Sequence, residues 1–154
     1  MEHLNILERA RSEMKIADHM MYVTVPLLSE KMLMSSVIEH MYKAMVNSML
    51  ALLEYERYYK KIFSLPSDDK LVVDLFFERH GDELEKAQIA KDLKEFFGLY
   101  QTMKKSQIEL KKDNELVIIS DTFESIRIDE AKLKSYCEAM KKLLKIVEGE
   151  IVAR

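Results

Sequence analysis

The residue types that usually carry chemistry are sparse in this chain and badly spaced for it. The four histidines, His3, His19, His40 and His80, are scattered. No two stand three or four apart, the spacing that turns two ligands to one side of a helix. A carboxylate-bridged di-metal bundle needs Glu-x-x-His on facing helices, and the sequence has no such motif. It has no glycine-rich phosphate loop, no Gly-x-Ser-x-Gly and no local signature of a cysteine nucleophile. The single cysteine, Cys137, has no partner for an internal disulfide and reads as a small buried hydrophobe. No metal or cofactor is implied.

One polar grouping is worth following. Asp18-His19, late in the first helical segment, and His40, Asn47 and Tyr55 on the second would make a pocket between two helices if they converged. The helical projection argues the other way. His19 lies off the apolar stripe of its segment and His40 at the border of its own, which suits solvated or edge positions. Eight of the eleven methionines fall between Met14 and Met49; such adaptable side chains fill cores or line promiscuous surfaces, and core packing is the reading adopted.

The elements that must position these residues are helices. Only three Gly and two Pro occur, too few for the turns of a many-stranded barrel, and 48% hydrophobic with 33% charged residues is a globular balance. A length of 154 residues fits one domain, 1–154. Glu2 to Val23 places Ile6, Leu7, Ala10, Met14, Ala17 and Met21 on one stripe. Thr24-Val25-Pro26 reads as a break and a tight turn. From Leu27 or Ser29 to Phe63 nothing interrupts a long central helix, apolar almost all round between Ala44 and Tyr55, as a helix enclosed by neighbours would be. Leu50 and Leu53 are expected in the core. After Leu65-Pro66, Ser67 caps a short third helix that stops at Gly81.

Asp82 to about Lys112 forms a fourth helix, with Gly98 marking close packing or a kink, and Asp113-Asn114 ends it. Leu116 to Ile128 is rich in Val, Ile, Thr and Phe and reads as a small hairpin or extended arm. Asp129 then caps a last helix whose stripe runs from Leu133 to Ile151, with Ile128 stapled to Leu133. The fold class is all-α: an up-and-down bundle of about five helices, one long and central, with a small β-hairpin near residues 115–128.

The net charge of -3 gives no whole-molecule field that would draw the chain to nucleic acid. Lys104-Lys105 and Lys111-Lys112 end the fourth helix, and Lys132, Lys134, Lys141, Lys142 and Lys145 dress the last; charged outer faces and cationic C-termini are ordinary. No apolar run is long enough for a membrane span, and the first residues lack a secretion signal. The expected setting is cytoplasmic.

The amphipathic first helix and the long second one, in which Glu30 to Tyr59 carries small and apolar residues around His40, Ala44, Asn47 and Leu50 to Leu53, together resemble the HEPN-like helical family, in an archaeal-type form. The resemblance covers residues 5–112. It implies a bundle of four or five helices, commonly dimeric, of a kind found among ribonuclease toxins, nucleotide-binding modules and partners of nucleotidyltransferases. The family's ribonucleases carry Arg, four to six residues, then His, for acid–base work on RNA. This chain departs from that spacing: Arg9 and Arg11 stand too far ahead of His19, Arg57 is remote from His80, and Arg79-His80 are adjacent. Arg79 and His80 are therefore at best a displaced pair. The expectation is a non-catalytic interaction module, a homodimer joined through the long second or the last helix, that binds a protein or nucleotide partner; the alternative is an RNA-acting enzyme.

Overall fold

The first helix, α1 (Glu2–His19), buries the stripe its spacing predicts: Ile6, Leu7, Ala10, Met14 and Ala17 all face the core. The structure, a computed structural model, describes residues 1–28, 31–105, 108–112, 115–119 and 124–152. Contrary to the expected break at Thr24-Val25-Pro26, the chain stays helical there. A π-helical turn over Met20–Thr24 leads straight into the four-residue α2 (Val25–Leu28). Pro26 has no N–H, and its ring would meet the carbonyl of Tyr22 in a regular helix. Reaching back five residues, from the Val25 N–H to the Met20 carbonyl, widens the helix at that point and accommodates the ring. Ser29, an expected start of the next helix, lies outside the described residues.

The central helix is α3 (Lys31–Tyr58), 28 residues and about 42 Å long at 1.5 Å per residue. It stops short of Phe63 because Lys60 takes a left-handed conformation, φ 60°. The Lys61 N–H then bonds the Glu56 carbonyl at 2.8 Å and the Lys60 N–H bonds that of Arg57 at 3.0 Å, a Schellman closure. Six successive residues, Ala51 to Glu56, are buried, so neighbours surround this helix on all sides. Leu53 is fully buried and Leu50 only partly.

Helix α4 (Asp69–Lys86) begins at Asp68, not Ser67: the Asp68 carboxylate accepts from the Leu71 N–H at 2.9 Å. It runs through Gly81. Its end is Gln88, φ 61°, with the same paired closure and with Leu84 and Ile89 buried on either side of the turn. Helix α5 (Ala90–Lys105) is shorter than expected, and Lys111-Lys112 belong to a strand. A Cβ at Gly98 would meet nothing within 4 Å, so close packing is not what keeps that glycine.

Strands β1 (Ile108–Lys112), β2 (Glu115–Ile119) and β3 (Ser125–Ile128) form an antiparallel sheet in that order. The expected hairpin is β2–β3, with Leu116 opposite Ile128 and Ile118 opposite Ile126; β1 is an addition, since its sequence reads equally as the end of a helix. Asp113-Asn114 lie outside the described residues. Helix α6 (Glu130–Val152) starts as expected: the Asp129 carboxylate accepts from the Lys132 N–H at 2.7 Å, and Ile128 and Leu133 are both buried. α1 and α6 pack against α3, with α4 and α5 beside them, and buried residues from these helices and the sheet join one core. The methionines at 14, 21, 34, 41, 45 and 49 are within it. Among the described residues no helix is long and apolar enough to cross a membrane.

Candidate functional site

Two charges buried beside one another must find partners, and at the junction of α3 and α4 they do. Adjacent residues on a helix point about 100° apart, so Arg79 and His80 can share a contact only with a group lying between them. Glu56, in the last turn of α3, is that group. Its side chain is 7% exposed. Arg79 donates through Nε at 3.2 Å and Nη2 at 2.8 Å, one bond to each carboxylate oxygen, while His80 Nε2 lies 2.9 Å from Oε1. The other ring nitrogen of His80, Nδ1, stands 3.3 Å from Glu83, and the Phe76 ring lies 5.0 Å from the imidazole.

Burial alone would raise the Glu56 carboxyl, but the hydrogen bonds from His80 and Arg79 outweigh it and hold the group at about 2. Burial alone would lower His80; the carboxylates of Glu56 and Glu83 instead raise it above its ordinary 6.5. A carboxylate at each nitrogen favours the protonated imidazole, which donates at both. General-base work needs a ring nitrogen free to face substrate, and anchoring phosphate needs a guanidinium edge to spare. Here both ring nitrogens lie beside carboxylates, and Arg79 has its Nε–Nη2 edge on Glu56. The cluster is chemically a clasp between α3 and α4.

The other five candidate residues are not gathered. Asp18 is paired with Lys141 on α6, and His19 is exposed. His40 Nδ1 is 2.5 Å from Glu13 on α1. Asn47 donates to the Lys43 carbonyl of its own helix at 2.9 Å. Tyr55 is buried, with its ring 5.4 Å from that of His3. Among the described residues these side chains share no partner. Some of the lysines are paired: Lys104 with Glu39, and Lys132 with Glu95 at 3.1 Å.

Sequence reasoning missed Glu56 and His3. Glu56 directly follows the stretch read as apolar nearly all round, and a buried carboxylate there demands a cation, which would have been the signal. His3 is buried against Tyr55 and Tyr58, where burial and the nearby chain terminus lower its pKa. The Cys137 thiol is pushed up to about 12, mainly by burial, which removes it as a nucleophile at neutral pH. Among the described residues no group of three His, Cys, Asp or Glu could hold a metal ion. Compared with known proteins, the chain matches no family model, no curated protein and no solved structure.

Proposed function

We propose that this chain is a non-catalytic helical interaction module of HEPN-like type, working as a homodimer that holds a protein or nucleotide partner. The observation that carries the reading is the commitment of Arg79 and His80 to the buried Glu56 carboxylate. The competing reading, an RNA-acting enzyme, needs a ring nitrogen of His80 free to act on a phosphodiester, and both stand beside carboxylates. The dimer is supported by apolar surface along α1, the π turn and α2, where Ile16, Val23 and Leu27 are 42%, 45% and 79% exposed. This exposed surface favours the first helical arm as the dimer face, beside the long second and the last helix, whose apolar side chains are mostly spent on the core.

Incubation of the purified protein with end-labelled single-stranded and hairpin RNA tests the reading. No cleavage above that of an Arg79→Ala, His80→Ala double variant is expected. Cleavage by the parent chain that the folded double variant lacks would overturn the module reading and restore the enzyme.

A further inference from the structure

The end of α3 carries the most exposed aromatic side chain of the described residues. Phe63 is fully solvent-exposed, and Tyr58 and Tyr59 are half-exposed beside it. A shallow cleft of about 550 Å³ lies among Arg57, Tyr58, Lys60, Lys61, Ile62 and Phe63. Its backbone is set by the Schellman closure at Lys60 and by Ile62, which packs against the core. The turn fixes the backbone that leads to Phe63, which lowers the ordering cost of using the ring as an anchor.

The charge around it has one sign. The carboxylates at this end are spent: Glu54 is paired with Arg57, and Glu56 with Arg79 and His80. Among the described residues, Lys60 and Lys61 have no carboxylate within ion-pair distance, and the Lys61 ammonium lies 5.8 Å from the Tyr55 ring centre. Aromatic side chains with cations at the rim are the composition of binding hot spots. Two ligand classes match such a charge, an acidic protein segment and single-stranded nucleic acid. The second stacks successive bases on ring faces, whereas Tyr58 and Tyr59 meet edge to face at 79° and Tyr55 and Tyr59 are tilted at 55°.

We infer that the α3 end, with Tyr58, Tyr59 and Phe63 as anchors and Lys60 and Lys61 at the rim, docks an acidic protein segment bearing an aromatic or aliphatic side chain. The inference rests on the module reading and names the partner's chemistry. The partner's apolar group fills the cleft against Phe63, and its carboxylates meet the two free ammonium groups.

Fluorescence anisotropy tests it with a short fluorescein-labelled peptide of alternating Glu and Asp around a central Phe. The probes beside it are the same peptide with Ser for Phe and an oligothymidylate of equal length. The Phe peptide is expected to bind best. Its affinity should fall about tenfold or more in Phe63→Ser and in the Lys60→Gly, Lys61→Gln double variant, with Lys60→Gly chosen to suit the left-handed position. Equal binding of the Ser peptide, tighter binding of the oligothymidylate, or unchanged or absent binding across the variants overturns the assignment. A dimer mass lost in Phe63→Ser would mean that a second copy occupies the patch, and overturns it too. Loss of peptide binding leaves the module reading standing, because that reading fails separately, on RNA cleavage that depends on Arg79 and His80.

Discussion

Replacing Glu56 by Gln removes one charge from the α3–α4 clasp while keeping its shape. A carboxyl held at about 2 in place of 4.5 loses its proton more readily by roughly 3 kcal/mol, at ~1.4 kcal/mol per pH unit. Linkage makes that difference a contribution to folding at neutral pH. Removing one member of a buried pair costs a similar amount, about 3–5 kcal/mol; because Arg79 is 30% exposed, water recovers part of its solvation and the lower end applies. Glu56→Gln should therefore lose about 3 kcal/mol in urea unfolding at pH 7, or roughly 10 °C in Tm for a chain of this size. The pH dependence gives the sharper check. Glu56 has a depressed pKa, so its contribution is present above 4.5 and drains away as pH falls towards 2. His80 has a raised one, so its contribution is present below 6.5 and is lost as pH rises through its folded value. The parent chain should be most stable between those windows, and the difference from Glu56→Gln should shrink on both sides. A loss below about 1 kcal/mol at pH 7, or one independent of pH, would refute the clasp.

Leu53→Ala should cost about 2–5 kcal/mol because the side chain is fully enclosed, and Leu50→Ala, only partly buried, distinctly less; equal losses in chemical denaturation would show that α3 is not surrounded as described. Light scattering should give twice the chain mass of 18.1 kDa, falling to the single-chain value in Val23→Glu, Leu27→Glu. A mass near 18.1 kDa that persists at high concentration rules out the dimer.

Much of the bundle can be read from the sequence where burial is periodic. The stripe from Ile6 to Ala17 and that from Leu133 to Ile151 are local patterns, and the Asp129 cap is a local hydrogen bond, so composition and spacing suffice for them. Helix ends are less legible. Two of them turn on Lys60 and Gln88 in left-handed conformations, residues with no intrinsic preference for that region, while the residues that usually mark a stop, Pro26 and Gly81, lie within helix. Pro26 is carried by a π turn that only the tertiary fit of α1 and α3 rewards. Strand β1 escaped notice because Ile108–Lys112 has no signal that separates it from the helix before it; its pairing with Glu115–Ile119 is what makes it a strand. The site was half legible. Arg79 and His80 stand out by residue type, but Glu56 reaches them across 23 positions of sequence, and no spacing rule spans such a gap.

The most direct test of the account is an NMR titration of the His80 ring. If His80 is a double donor clasped by Glu56 and Glu83, its pKa lies above 6.5 in the parent chain and falls in Glu56→Gln, where the charge that raises it is gone while burial remains. A His80 that titrates at or below 6.5, and does so unchanged in Glu56→Gln, would contradict the account: the ring would then be free to act as a base, and the case for a non-catalytic module would lose its foundation.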